Sequence, residues 1–196
     1  MTISKALQGA VAVLALAAAA PALAAPRPYG GPAYAPATNN ALRLEIGGAT
    51  LSSPGIYCPN GSAGVCFNDS PFAWQALYLG GDLDLSLGGG PLALTLGARE
   101  LAAPYYSGNP SIFEPTIGLT LKFLRHTAVE PRLGAGIGLL IGNDGNTGAT
   151  FRLGGGLSLF ANAPIGLALD LILELGEFGG YGVSQVQLAA GPEFHF

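Results

Sequence analysis

The stretch that decides the fold is residues 165–175, IGLALDLILEL, in which every second residue is a leucine or an isoleucine. The positions between them include Asp170 and Glu174. Successive side chains of a β-strand point to opposite faces, whereas a helix would spread this pattern around its surface. The stretch therefore predicts a strand with one apolar and one polar face.

The C-terminal segment, residues 185–196, repeats this alternation and ends on an aromatic residue. Apolar residues occupy the even positions, and most odd positions are polar or small. Phe194 and Phe196 fall on the apolar face, and Glu193 and His195 fall on the other. The segment predicts a final strand of the same kind.

The first residues have the features of an export signal. Lys5 precedes an apolar run over residues 10–20, and Ala22-Leu23-Ala24 forms a small-x-small cleavage site. No cysteine lies at this site, so a lipid anchor is not expected. We predict a cleaved signal peptide over residues 1–25, followed by a Pro/Ala/Gly-rich periplasmic leader over residues 26–40.

The composition favours a membrane barrel over a soluble domain. The chain is 49% hydrophobic but only 10% charged, against about a quarter charged in soluble domains. After the signal there is no uninterrupted apolar stretch of the roughly 18 residues that a membrane helix needs. The net charge of −4 and the lack of a basic run give no indication of nucleic-acid binding.

Turn signals divide the rest of the chain into eight alternating runs. The predicted strands cover residues 42–51, 74–87, 92–99, 115–124, 129–141, 149–160, 165–175 and 185–196. The connections alternate between loops and tight turns. The loops are long at 52–73 and 100–114 and shorter at 142–148 and 176–182, and the tight turns lie at 88–91, 125–127 and 162–164. Outer-membrane barrels show this alternation, with the longer loops outside the cell.

The charged residues of these strands all lie opposite the leucines. They are Arg43, Glu45, Asp82, Asp84, Arg99, Lys122, Glu130, Arg132, Arg152, Asp170, Glu174 and Glu193. The leader, loops, turns and strand ends hold the others: Arg27, Asp69, Glu100, Glu114, Arg125, Asp144 and Glu177.

A soluble barrel or sandwich would turn the leucines inward and the charges to water. However, the charged face is also crowded with glycine, which suits a narrow lumen, and arginine outnumbers lysine there. We therefore predict an all-β, eight-stranded antiparallel up-and-down transmembrane barrel over residues 41–196. Its lumen should be sealed by an ion-pair network among the twelve strand charges.

The combination of export signal, eight strands, short turns at one end and terminal Phe196 resembles the small eight-stranded bacterial outer-membrane proteins. These are the families of the OmpA transmembrane domain, OmpX and OmpW. The resemblance implies an outer-membrane location and contact with outer-membrane lipid. It also implies insertion by the barrel-assembly machinery, through a C-terminal strand marked by Phe194 and Phe196.

Cys58 and Cys66 lie in one Pro/Gly/Ser/Asn-rich segment. In an oxidising compartment such a pair predicts a local disulfide. A metal or redox pair is the alternative, but no histidine or third thiol lies near. We expect neither a metal nor a cofactor.

Three functions remain. The first is a structural or surface-interaction barrel that contacts an extracellular ligand through loops 52–73 and 100–114. The second is a narrow conduit for small or hydrophobic solutes, as in the OmpW-like group, and the third is an outer-membrane lipid-modifying enzyme. The only histidines, His126 and His195, fall at the periplasmic end and so do not suit a site at the outer leaflet. We therefore expect no enzyme.

Overall fold

The computed structural model describes residues 40–52, 76–102, 111–125 and 127–196. The side chains of residues 51, 52 and 181 are not among those described. The described chain forms eight strands: β1 (Ala41–Ser52), β2 (Ala76–Ser86), β3 (Leu92–Ala102), β4 (Ser111–Lys122), β5 (Val129–Gly142), β6 (Thr147–Leu159), β7 (Ile165–Phe178) and β8 (Tyr181–His195).

The strands form a closed antiparallel barrel in which each strand pairs with its neighbours in sequence. The barrel closes between the first and last strands, where Ala41 pairs with His195 and Gly48 with Leu188. Closure leaves no sheet edge with unpaired backbone groups. The predicted fold, an eight-stranded up-and-down barrel, is confirmed.

The apolar side chains cover the outside of this barrel. In β7, Leu171 and Leu173 are 50% and 49% exposed, whereas Glu174 is fully buried. The same division holds around the barrel, with Ile46 and Ile137 at least 60% exposed. A soluble barrel would have the opposite arrangement, because monomeric soluble proteins rarely expose a continuous apolar surface of this extent. Within the described ranges no helix is long and apolar enough to cross a membrane.

Both described chain ends and the three tight turns lie at one end of the barrel, which we call the inner end. The turns join β2 to β3, β4 to β5 and β6 to β7. The other four connections lie at the opposite, outer end. Residues 53–75 and 103–110, which belong to two of these connections, are outside the described residues. Cys58, Cys66 and Trp74 belong to the first of these segments. The predicted signal peptide, further upstream, also lies outside the described residues.

Two outer connections that were predicted to be the shorter ones are shorter still than their predicted bounds. The predicted loop at 176–182 is a turn of two residues, Gly179 and Gly180, with φ of 59° and 85°. A two-residue hairpin turn that matches the strand twist needs positive φ at both positions, which glycine supplies without strain. The loop at 142–148 likewise shortens to residues 143–146, because β5 and β6 pair as far as Ile141 and Thr147.

The predicted loop at 100–114 is also too long. β3 continues to Ala102 and β4 begins at Ser111, with Ala102 opposite Ser111 in the ladder. Glu100 therefore lies in β3, on its outward face opposite Phe113, and Glu114 lies inside the barrel. The predicted fourth strand began at Pro115, whereas Pro115 lies within β4, four residues after its start.

Candidate functional site: the barrel lumen

The lumen holds all twelve charged side chains that alternation assigned to it. Ten belong to buried residues, and the side chains of Arg152 and Asp170 are only 11% and 12% exposed. Burying a charge is costly unless it is paired and hydrogen-bonded. The contacts inside the barrel therefore determine whether this arrangement is stable.

The largest cluster is centred on Asp82. Its carboxylate accepts hydrogen bonds from Arg99 Nη2 at 2.9 and 3.0 Å and lies 3.4 Å from Arg43 Nη2 and 3.6 Å from Arg152 Nη2. Arg43 also donates to Asp84 at 2.6 Å, and Lys122 Nζ lies 3.2 Å from Asp84. Four cations from four strands thus meet around two aspartates of β2.

Tyr78 connects this cluster to Glu45. Its hydroxyl accepts a hydrogen bond from Arg99 Nε at 2.7 Å and donates one to Glu45 Oε2 at 2.7 Å. Arg99 also lies over the Tyr78 ring, with its Cζ 5.7 Å from the centroid. A tyrosine hydroxyl can accept and donate at once, so it joins a cation to a carboxylate without adding charge. Alternation places Tyr78 on the same face as Asp82 and Asp84, but it is not among the twelve predicted ion-pair residues.

A second cluster surrounds Arg132 toward the inner end. Arg132 Nη2 donates to Asp170 at 2.5 Å, and Nη1 lies 3.4 Å from Glu193 and also donates to the Ser158 hydroxyl. His195 Nε2 lies 3.9 Å from Glu193 and is 6% exposed as a residue. Glu45, which pairs with Arg43 of the first cluster, lies within hydrogen-bonding reach of Asp170, so the two clusters adjoin. Glu130 lies two residues from Arg132 on the same inward face.

Glycines make room for these side chains. Gly97 faces the Asp82 carboxylate and the Thr116 hydroxyl, and Gly156 faces the Asp170 carboxylate. A Cβ at either position would overlap a carboxylate oxygen. In both cases the carboxylate belongs to the residue paired with the glycine on the neighbouring strand, so the missing side chain leaves the space that the carboxylate occupies.

A cavity of about 50 Å³ remains near the middle of the lumen. Arg43, Arg132, Asp82 and Asp170 line it, together with threonines and glycines of β3 to β6. This volume and these polar walls suit a few water molecules.

Glu114 belongs to the lumen and was missed by sequence reasoning. It is fully buried and accepts a hydrogen bond from Thr150 Oγ1 at 2.9 Å. The signal was present in the sequence, because Ile112, Glu114 and Thr116 continue the inward alternation of β4.

An apolar layer lies at the outer end of the described lumen, and sequence reasoning missed it. Six inward-facing residues from six strands pack into one buried cluster, and Val183 of β8 packs against it. We call these six residues the apolar cap: Ala49, Ala76, Leu101, Ile112, Leu140 and Phe178. An ion passing this layer would have to lose its hydration shell.

The C-terminal residues of the predicted signature complete the barrel. Phe194 lies in β8 opposite Ile165, on the outward-facing parity, and the Phe196 amide donates to the Asn40 carbonyl at 3.2 Å. His126 lies outside the described residues. The described residues include no group of three or more histidine, cysteine, aspartate or glutamate side chains that could hold a metal ion.

No protein-family model matches the sequence, and no curated protein matches it either. Solved structures do match the fold. Neisserial surface protein A is 14% identical, with a TM-score of 0.62 over 81% of this chain and 98% of that chain. The N-terminal barrel of Pseudomonas aeruginosa OprF (12% identity, TM-score 0.47) covers 80% of this chain and 98% of its own. Ail, the attachment invasion locus protein of Yersinia pestis (13%, 0.44), covers 80% of this chain and all of its own.

At these identities the comparison with the Neisserial protein shows the fold alone. The chain has the fold of the small eight-stranded outer-membrane β-barrels, as the sequence resemblance implied.

Proposed function

We propose that the protein is an integral outer-membrane barrel with a sealed polar lumen, and that it has a structural or surface-interaction role. The observation that carries the proposal is the way the lumen is filled. Two ion-pair clusters occupy it from the inner end upward, and the apolar cap lies above them.

The outer membrane is the location that accounts for both faces of the barrel. The continuous apolar outside requires a lipid environment, and the predicted signal peptide would direct export. We further propose that the barrel-assembly machinery inserts the chain through β8, with Phe194 and Phe196 as the recognised residues. The lumen clusters leave no arrangement that suggests catalysis, and the proposal assigns no enzymatic activity.

The interaction role is assigned to the loops at the outer end. The two longest outer connections in sequence are residues 53–75 and 103–110, which overlap the loops first predicted at 52–73 and 100–114. A ligand from outside the cell would meet these segments first if the inner end faces the periplasm.

Single-channel recording in planar bilayers tests the sealed lumen. The proposal expects no steady ionic conductance from the purified wild-type protein, since the apolar cap and the ion pairs leave no continuous water path. A stable, large conductance would instead identify the barrel as a conduit for small solutes.

A further inference from the structure

Glu114 is a buried carboxyl without a cation beside it. It is fully buried, and within the described ranges no arginine, lysine or histidine nitrogen lies within 4 Å of it. Six other lumen carboxylates have such a partner: Glu45, Asp82, Asp84, Asp170, Glu174 and Glu193. One Glu114 oxygen accepts from Thr150, and the other, Oε2, has no hydrogen-bond donor. An ionised Glu114 would therefore be poorly compensated.

The carboxyl of Glu174 lies within hydrogen-bonding reach of Glu114. The two meet at the same level of β6, where Thr150 contacts Glu114 and Arg152 contacts Glu174. Glu174 itself is held by cations, with Oε1 3.4 Å from Arg99 Nη1 and 3.3 Å from Arg152 Nε. Ionised carboxylates only accept hydrogen bonds. Two carboxyl groups can therefore form a hydrogen bond to each other only if one of them carries a proton.

A neighbouring amide also has an unsatisfied acceptor. Gln187 is fully buried and donates from Nε2 to Glu174 Oε2 at 3.0 Å, while its Oε1 has no donor. The side chain of Gln185, which accepts from Gln187 at 3.3 Å, has a donor without an acceptor at Nε2, so the shortage of donors is confined to Glu114 Oε2 and Gln187 Oε1.

The charge balance of the lumen agrees with this local shortage. Counting Glu114 with the twelve predicted residues, the described lumen holds eight carboxylates (Glu45, Asp82, Asp84, Glu114, Glu130, Asp170, Glu174, Glu193) and five cations (Arg43, Arg99, Lys122, Arg132, Arg152). Eight less five leaves three uncompensated negative charges if every carboxyl is ionised. The apolar cap lies directly above Glu114, because Ile112 is the next inward residue of β4.

We propose that Glu114 and Glu174 together bind one proton and act as a buried acid pair with a single negative charge. Arg99 of β3 and Arg152 of β6 balance that charge, and Thr150 of β6 and Gln187 of β8 hold the two carboxyls in place. Asp82 of β2 shares Arg99 and Arg152 with Glu174. Tyr78 of β2 contacts Arg99, Gln185 of β8 contacts Gln187, and Leu140 of β5 belongs to the apolar cap. The inference extends the proposed sealed lumen, since the pair retains its proton only where water is excluded.

The lumen has a second contact between two acidic side chains, and the experiment has to distinguish its effect from that of Glu114 and Glu174. Glu45 lies within hydrogen-bonding reach of Asp170. Each of these carboxylates also has an arginine, Arg43 at 3.5 Å and Arg132 at 2.5 Å respectively. Because this contact can add its own pH dependence, the test compares variants with the wild type and does not rely on the wild type alone.

The test is urea unfolding of the full chain, refolded in detergent, for the wild type, Glu114→Gln and the control Glu193→Gln. Both variants remove one buried carboxyl at constant size. Glu193 faces Arg132, so its loss should make unfolding easier, whereas a glutamine at position 114 supplies the hydrogen-bond donor that the proton supplied. We expect Glu114→Gln to unfold at the wild-type urea concentration or higher near neutral pH.

The proposal predicts the direction in which the stability of the wild type changes with pH. The native state holds a proton that the unfolded chain releases, so the stability of the wild type should fall as the pH rises through the native titration of the pair. In that pH range the equilibrium constant for unfolding of the wild type, divided by that of Glu114→Gln, should rise by up to about tenfold per pH unit. An equal loss of stability in Glu114→Gln and Glu193→Gln, independent of pH, would overturn the proposal.

Infrared spectroscopy tests the same proton without unfolding the protein. The wild type should show a protonated-carboxyl C=O band that is lost in Glu114→Gln and retained in Glu193→Gln. Absence of this band from the wild type overturns the proton site and leaves the sealed lumen intact, whereas ionic conductance overturns the sealed lumen. Stability that depends on the choice of Na⁺ or K⁺ at fixed ionic strength would mean that a metal cation, and not a proton, occupies the pair.

Discussion

The environment of a single residue in this barrel is decided by whether its position in the strand is odd or even. Leu171 and Ile172 are adjacent in β7, yet Leu171 is half exposed on the outside and Ile172 is 2% exposed in the lumen. The sequence-based assignment of faces worked because the side-chain period of a strand is two, so a wrong register would have moved every charge to the lipid face.

The lipid face gives the first prediction. Leu171→Arg lies near the middle of β7, and we expect it to lower the free energy of unfolding in lipid vesicles by about 2 to 4 kcal/mol. Ile165→Arg, on the same face but at the inner end of β7, should cost about 0 to 1 kcal/mol, because the side chain can reach the interface. Equal costs at the two positions, measured by urea unfolding, would contradict a membrane-spanning β7.

The second prediction concerns Arg132, the centre of the smaller ion-pair cluster. Arg132→Ala leaves Asp170 and Glu193 without their arginine and should destabilise the barrel by about 3 to 5 kcal/mol. Arg125→Ala, in the β4–β5 turn, removes the same charge where water is close and should change stability by about 0.5 kcal/mol or less. A water-filled pore would tolerate the loss of Arg132 and show altered ion selectivity instead.

At the scale of strands and turns, the sequence was informative wherever alternation was uninterrupted and misleading where proline or glycine interrupted it. Because the predicted fourth strand began at Pro115, the first residues of β4, including Glu114, were assigned to a loop. Gly179 and Gly180 suggested a loop but form the tightest outer turn. The apolar cap could not be predicted from one strand, since it exists only because six strands each bring one apolar residue to the same level.

The third prediction tests the apolar cap. Leu101→Ser combined with Leu140→Ser should let water and ions enter the outer end of the lumen, because a polar constriction no longer requires dehydration. We expect brief, small conductance events in planar bilayers from this variant and none from the wild type. The control is Leu119→Ser with Leu133→Ser, which changes two outward-facing leucines. A silent cap variant, with conductance appearing in Arg132→Ala, would assign the seal to the ion pairs alone.

The fourth prediction concerns the segment between β1 and β2. Cys58 and Cys66 should resist thiol reagents in the exported protein until they are reduced, as expected for a disulfide. Reduction should loosen that segment and leave the barrel folded, because the ladder closes between β1 and β8 without it. Thiol labelling and gel migration before and after reduction measure the two effects. Labelling of the unreduced protein would rule out the disulfide.

At the scale of the whole molecule, the barrel is organised in the reverse sense to a soluble domain. Most of its charged side chains are buried and paired in the lumen, while most of its large apolar side chains form the outer surface. Its stability therefore depends on its solvent: in water the outer surface is unsatisfied, and in lipid both surfaces are satisfied. Composition alone indicated this, since so few charges could not have covered the outside of a soluble protein of this size.

The last prediction follows from this dependence on lipid. The protein should fractionate with the outer membrane and give a mostly β circular-dichroism spectrum in detergent. It should also migrate differently in unboiled and boiled gel samples, because a closed ladder has no edge from which a detergent can unravel it without heat.

A barrel-disrupting variant, Leu171→Arg with Leu173→Arg, should lose the difference in migration and leave the membrane fraction, since both charges would lie on the lipid face. Recovery of the wild-type protein from the soluble periplasmic fraction, with the same migration before and after boiling, would contradict the membrane barrel. The apolar outer surface would then have to be covered by another protein.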